Sequence, residues 1–209
     1  MIKVHHLNNS RSHRVLWLLE ELGLPYEIVA HKRDLMTRLA PPELKKVHPL
    51  GKSPVIVDDG LVVAESGAII EYLTKKHGHG KLWPADSAPN WVAHTHWMHF
   101  AEGSAMLPFL LALYAGMLGD NAAALRPRIE GEIANHLSYM DGALAKHDYF
   151  AGNEFTACDI QMSFILEVAD TGGRLKDYPR LTAVLKRYRE RPGYQRAIEK
   201  GGPLELIRR

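Results

Sequence analysis

The chain has a single cysteine, Cys158, in 209 residues. A lone thiol excludes an internal disulfide framework and any Cys-x-x-Cys redox pair, and it suits a reducing compartment. Charge of one sign is also missing, since 26 Lys and Arg are interleaved with 24 Asp and Glu for a net charge of +2. Without a basic cluster there is no electrostatic footprint for nucleic acid. No uninterrupted apolar run approaches the length of a membrane span, and Met1-Ile2-Lys3-Val4-His5-His6 starts as a strand rather than as the apolar core of a signal peptide. A soluble cytoplasmic protein with neither a nucleic-acid nor a membrane partner is expected. Twelve histidines are present, yet none follows a His-Glu-x-x-His or Cys/His zinc spacing. His94, His96 and His99 share a helix, but 94 and 96 point to different sides, so no metal site is expected.

What is present is an ordinary globular composition, 46% hydrophobic and 24% charged, arranged in two unlike halves. Ile2 to His6 alternates at period two and reads as a strand. The polar loop Asn8 to Ser12 follows, and then Val15, Leu18, Leu19 and Leu22 mark one helical face that ends before Gly23 and Pro25. Tyr26 to Ala30 is a second strand, which a helical crossover can make only parallel to the first. Pro41 to Val47 reads as a short helix with proline in its first turn. Two short apolar runs then flank Asp59-Gly60, a hairpin turn signal, and a helix opens at Ser66. The order is β-α-β-α-β-β-α.

Periodicity breaks from Gly78 to Pro89. The expected organisation is an α/β domain over 1–80, a linker over 81–88 and an all-α domain over 89–209. The second half offers a helix from about Asn90 to Gly119 with a bend at Pro108, and another from about Ala122 to Lys146. Thr156-Ala157-Cys158-Asp159 is a capping box with aspartate in the third position. Leu181, Val184, Leu185 and Tyr188 face one way after Pro179, and a last helix starts near Tyr194. The aromatic and methionine side chains Trp97, Met98, Phe100, Met106, Phe109 and Tyr114 are expected to be mostly core, as is an inert Cys158.

Candidate chemistry concentrates between His48 and Ser66. Pro54 lacks an N–H and precedes Val55-Ile56-Val57, so it starts a strand where a ladder donor would be missing. A cis Ser53-Pro54 bond would leave the Ser53 N–H and C=O facing outward, where an extended peptide can dock as one more strand. Ser66, read as an N-cap, opens a helix whose first N–H groups can seat a carboxylate. Each feature alone has an ordinary structural explanation, as an edge proline or a helix cap.

Together, Gly51-Lys52-Ser53-Pro54-Val55 and Glu65-Ser66 resemble the glutathione transferase superfamily. Ser10-Arg11, Lys32-Arg33-Asp34, Pro42 to Lys46 and Ala64-Glu65-Ser66-Gly67 are most similar to its fungal and bacterial Gtt1-like members. The resemblance covers nearly the whole chain. It implies an α/β thioredoxin-like N-terminal domain that binds glutathione, followed by an all-α helical C-terminal domain that lines an electrophile pocket. It further implies a cytoplasmic detoxifying transferase that uses glutathione as co-substrate, needs no other cofactor, acts on a hydrophobic electrophile and forms a homodimer through the helices of about 90–146. A glutathione-dependent peroxidase or disulfide reductase, or a non-catalytic glutathione-binding regulator, would use the same residues.

The chemistry needs a thiolate, and a free thiol with a pKa near 8.5 is mostly protonated at neutral pH. A hydroxyl donating to sulfur at the start of the first helix lowers that pKa. Ser10, four residues before Arg14, matches the family's serine type, with Ser12 and Asn9 as neighbouring candidates. The resemblance assigns glutathione binding to Lys52, Ser53, Pro54, Glu65 and Ser66, gives Glu102 a possible reach to the ligand of a second copy, and leaves Arg14 a structural role.

Overall fold

A computed structural model describes residues 1–206, which divide by packing into two units. The first comprises Met1–Ala85 with Tyr188–Glu205, and the second comprises Asp86–Arg187 together with Leu206.

In the first unit β1 (Ile2–Leu7), β2 (Tyr26–His31), β3 (Val55–Asp58) and β4 (Leu61–Ala64) form one sheet in the order β2-β1-β3-β4. β1 and β2 run parallel, while β3 is antiparallel to both β1 and β4. The helices α1 (Ser12–Leu22), α2 (Leu44–Val47) and α3 (Ser66–His77) complete the thioredoxin-like order. Alternation on β1 puts Ile2, Val4 and His6 on the buried face, where Val4 sits opposite Ile56 on β3. Leu16, Leu19, Ile69, Ile70 and Leu73 from α1 and α3 supply the other side of this core. The β3–β4 turn has positive φ at both Asp59 (48°) and Gly60 (84°), the two-residue hairpin geometry for which the Asp-Gly pair is suited.

Residues 188–205 belong to this unit because they are bolted to α1. α8 (Pro179–Glu190) carries the unit boundary between its residues 187 and 188, and α9 (Pro192–Gly201) follows it. The Trp17 ring meets Tyr194 edge-on at 5.2 Å and Tyr188 at 5.5 Å. Arg191 grips Glu21 with two 2.8 Å bonds. Glu20, buried, accepts from Tyr26, Arg196 and Lys200. Burial alone would raise the Glu20 pKa, but the bonds from Lys200, Tyr26 and Arg196 outweigh it and hold it below its ordinary value.

The second unit is helical. α4 (Trp91–Phe100) and α5 (Met106–Met117) are joined by a π-helical turn, Ala101–Ala105. Where a bend at Pro108 is expected, the irregularity is this π-helical turn before it: the ring of Pro108 cannot lie against the carbonyl four residues back, and the wider turn relieves that crowding. Trp91–Met117 is long and apolar enough by composition to cross a bilayer, although histidines and Glu102 interrupt its apolar run. A 3₁₀ turn, Gly119–Ala122, precedes α6 (Arg126–Ala143), which starts four residues later than expected. α7 (Ala157–Thr171) is buried almost throughout and opens on the expected capping box, with both reciprocal bonds present between Thr156 and Asp159. Asp159 also accepts the Phe150 N–H at 3.1 Å. The Asp141 carboxylate takes the N–H groups of Arg180 and Leu181 at the start of α8, the end at which the helix dipole favours an anion. Cys158 is fully buried, and burial pushes its thiol well above the usual range. One core expectation is corrected: Tyr114 is 57% exposed, because α5 turns Leu107, Leu111, Tyr114 and Met117 outward.

At the end of β3, Asp58 is 2% exposed and accepts from His77 (2.7 Å), Tyr72 (2.8 Å) and Lys76 (3.1 Å) on α3. Chiefly through the His77 bond its pKa falls to about 2. The stability this contributes is complete above the ordinary carboxylate pKa and is lost as pH falls through the depressed one. Asp58→Asn should therefore lower Tm by roughly 5 °C at neutral pH. In melts recorded from about pH 4 to about pH 2, the gap to wild type should close as the wild-type carboxyl protonates.

Candidate active site

The loop from β1 into α1 is held by bonds from distant segments in addition to its own turns. Asn9 has a φ of 54°, in the left-handed region that asparagine tolerates. The guanidinium of Arg33 donates to the carbonyls of Asn8 (3.2 Å), Asn9 (3.2 Å) and Arg38 (2.9 Å), while the Arg33 N–H donates to Asn8 Oδ1 at 2.9 Å. From the C-terminal segment, the Glu205 N–H donates to Asn9 Oδ1 at 2.7 Å. These bonds engage the Asn9 side chain structurally and fix where Ser10 emerges.

Ser10 is 4% exposed and stands two residues before the first residue of α1. Its Oγ lies 2.7 Å from Ser12 Oγ and accepts the Ser12 N–H at 3.2 Å. Ser12 is fully buried; its Oγ lies 2.9 Å from His6 Nδ1 and accepts the Leu7 N–H at 3.2 Å. The two candidate serines thus form one connected group, with Ser10 outermost. The N-cap residue of α1, Arg11, makes no side-chain cap bond, and Ser10 Oγ takes the first N–H of the helix instead, which puts Ser10 at the partially positive N-terminus.

The Ser53-Pro54 bond is cis. Ser53 Oγ donates to the His5 carbonyl at 2.8 Å and accepts the Leu7 N–H at 3.2 Å, which pins this turn to β1 next to the serine pair. Pro54 is buried, whereas Lys52 is exposed and makes no ion pair among the described residues. Glu65 is exposed, with φ 71° and ψ 126°. That conformation is costly for a residue with a side chain and persists only where the surroundings impose it. It makes Glu65 the N-cap and moves Ser66, expected at that place, to the first helical position. Ser66 is 5% exposed, and α3 also lacks a side-chain cap. Glu102 lies in the π turn of the second unit, partly exposed. Among the described residues no group of three or more His, Cys, Asp or Glu could hold a metal ion.

Residues 1–75 match the family model of the glutathione S-transferase N-terminal domain, and 98–192 match that of the C-terminal domain. Glutathione S-transferase 3 of Schizosaccharomyces pombe is 38% identical, with 96% of this chain and 88% of the relative covered. The chain belongs to the glutathione transferase family. Glutathione S-transferase 1 of Saccharomyces cerevisiae is 33% identical over 98% of this chain and 97% of its own. A crystal structure of a glutathione S-transferase from Actinobacillus pleuropneumoniae superposes with a TM-score of 0.89 at 34% identity, covering 98% of this chain and 95% of that one. A sphingomonad glutathione S-transferase in complex with glutathione gives a TM-score of 0.80 at 27% identity, covering 96% and 98%.

Two residues that position this transferase's loop are not among the site residues the sequence suggests. Arg33 grips three carbonyls from the far end of β2, and nothing in its own neighbourhood announces that role. His6 carried a signal: it falls on the buried side of β1 with Ile2 and Val4, and a buried imidazole must find partners. The grip of Arg33 is testable. A lysine cannot reproduce a planar fork that serves three carbonyls. Amide hydrogen exchange across residues 9–13 should accelerate about tenfold in Arg33→Lys, with exchange in β1 unchanged.

Proposed function

We propose that this glutathione transferase couples the glutathione thiolate to an electrophilic carbon of a hydrophobic acceptor, with Ser10 meeting the sulfur. The observation that carries this reading is the place of Ser10, whose hydroxyl is the outermost of a buried polar group and takes the first N–H of α1. A thiolate there is favoured by the helix dipole and by a hydrogen bond to its charged form. Ser12 is inside this group and serves it from behind. Asn9 acts through its carbonyl and side chain as loop structure.

The remaining contacts belong to the tripeptide. Among the described residues the Ser53 N–H and C=O have no partner, which suits pairing with the cysteinyl backbone of glutathione in the manner of an added strand. Pro54 gives that turn its shape. Lys52 supplies a cation for a carboxylate. At the γ-glutamyl end, the Glu65 carboxylate meets the ammonium, and Ser66 with the free N–H groups of α3 meets the carboxylate. The strained backbone of Glu65 is consistent with a position held for ligand contact. A homodimer fits the outward apolar residues of α5, Leu107, Leu111, Tyr114 and Met117, since a patch of that kind favours a second copy. Sedimentation of the purified protein tests this directly.

Removing a hydrogen bond to a charged acceptor costs about 1.5–3 kcal/mol, or roughly one to two pKa units on the sulfur. Ser10→Ala should therefore slow conjugation of an aryl halide about ten- to a hundredfold at neutral pH, with partial recovery as pH rises. Glutathione affinity should largely persist. Rates with a hydroperoxide and a small disulfide, measured beside the aryl halide, set the reaction type: turnover confined to the disulfide would overturn the conjugation reading. Glu65→Ala and Ser66→Ala should behave differently, raising KM for glutathione while leaving kcat nearly unchanged, because they remove contacts made equally before and during reaction. Equal losses in kcat and kcat/KM would refute their assignment.

A further inference from the structure

Behind Ser10 the hydrogen bonds have a direction. His6 Nε2 lies 2.9 Å from the carbonyl oxygen of Gly201, at the end of α9. A carbonyl oxygen can only accept, so His6 carries a hydrogen on Nε2, and as a neutral ring it offers a lone pair at Nδ1. Among the described residues the donor at Nδ1 is the Ser12 hydroxyl, 2.9 Å away. The Leu7 carbonyl, 3.2 Å from Ser12 Oγ, is a second acceptor for that hydrogen. The bare Nδ1 of a ring protonated on Nε2 is nearer, so Ser12 gives its hydrogen to His6 and accepts from the Leu7 N–H and from the Ser10 hydroxyl. Ser10 has then given its hydrogen inward. With the Ser12 N–H donating to it, Ser10 Oγ keeps one lone pair for whatever lies outside.

A serine in that state cannot donate to sulfur, but it can accept from a thiol. We infer that His6 takes up the thiol proton of glutathione through Ser10 and Ser12, an inference that rests on the proposed contact between Ser10 and sulfur. The S–H proton passes to Ser10 Oγ, the Ser10 hydrogen to Ser12 Oγ, and the Ser12 hydrogen to His6 Nδ1. One S–H bond is lost, one N–H bond is gained, each serine stays neutral, and a thiolate and an imidazolium replace a thiol and an imidazole. Every bond in the chain then points the other way. Imidazolium Nδ1–H donates to Ser12, Ser12 donates to Ser10, and Ser10 donates to the thiolate that it must stabilise.

The surroundings suit both states. His6, Ser12 and Ser10 are 5%, 0% and 4% exposed, so water does not compete along the chain. Before transfer the ring is neutral. Burial lowers the His6 pKa, the Gly201 bond opposes it in part, and His31 lowers it slightly further. His13 on α1, whose own pKa His6 also lowers, is held neutral chiefly by burial, at about 3. After transfer, Nε2–H to the Gly201 carbonyl becomes a charge-assisted bond, and the thiolate is the opposite charge at the far end. The position of Gly201 is specific: a Cβ there would lie 3.3 Å from His6 Cε1 and Nε2 and 2.4 Å from Leu16 Cδ1. Without a side chain, its carbonyl can reach the ring. His6 is thus a positioning residue that also stores the proton.

Nitrogen-15 NMR of the histidine rings, on the full-length protein near neutral pH, tests this with two ligands. Glutathione should convert His6 from the neutral Nε2–H tautomer to imidazolium. S-methylglutathione, which binds alike but has no thiol proton, should leave it neutral. Ser12→Ala should abolish the conversion while glutathione still binds, and His6→Asn, whose amide oxygen can accept from Ser12 but cannot take a proton, should raise the bound thiol pKa by one to two units. The ultraviolet absorbance of bound thiolate is read in the same samples. If thiolate forms in the wild type while His6 stays neutral, the relay is overturned and the Ser10 assignment stands. If thiolate forms undiminished in Ser10→Ala, the Ser10 assignment falls and the relay falls with it.

Discussion

The burial of α1 is the constraint on which the first unit depends. Ten of its eleven residues, all but Glu21, are buried, so a helix with a polar start and an acidic end has to settle both inside protein. An unpaired polar group there would cost about 1–3 kcal/mol and an unpaired charge more. The C-terminal segment settles the acidic end and supports the polar one, where His13 Nε2 stays without a hydrogen-bond partner among the described residues and the His13 ring packs edge-on against Tyr194. Arg196, Lys200 and Arg191 neutralise Glu20 and Glu21, and the next residue after Lys200, Gly201, reaches with its carbonyl the His6 ring that serves Ser12. The same helix therefore anchors the fold and finishes the polar group behind Ser10. Loss of α9 from α1 would expose Trp17 to water and, in the same event, leave the imidazole with one partner fewer.

That economy explains what the sequence made legible. The Asp59-Gly60 hairpin, the strand start at Pro54 and the capping box of Thr156 and Asp159 are set by residues within a few positions of one another, and local chemistry leaves little choice among conformations. The sheet order follows from a parallel crossover and a hairpin. By contrast, the His6 to Gly201 bond joins positions 195 residues apart, and the grip of Arg33 on Asn8 and Asn9 crosses from one strand end to another. No periodicity in either segment encodes the other. Ser66 shifted from N-cap to first helical residue because Glu65 accepts a backbone conformation that sequence preferences argue against. Tyr114 reads as core by hydrophobicity, yet hydrophobicity alone does not choose which face of a helix turns inward. α5 is apolar nearly all round, so its pattern carries little directional signal.

In the proposed function the candidate residues separate into two physical classes. Lys52 and Glu65 are exposed side chains whose charges are screened by water and salt. They can hold the ends of a tripeptide, and they hold it equally well before and during reaction. Such contacts set affinity and leave the barrier where it was. Ser10, Ser12 and His6 are nearly or fully buried and linked in series, where a change in one hydrogen's position is felt by all three and little is lost to solvent. Only the second class can distinguish a thiol from a thiolate. Substitutions within it should be strongly non-additive, since breaking the chain at Ser12 removes what His6 contributes as well. Substitutions taken one from each class, lying in separate contacts, should add. The division follows from burial, and burial follows from α1: the helix that had to hide its polar start did so by building, out of one imidazole and two hydroxyls, a chain with a single outward end.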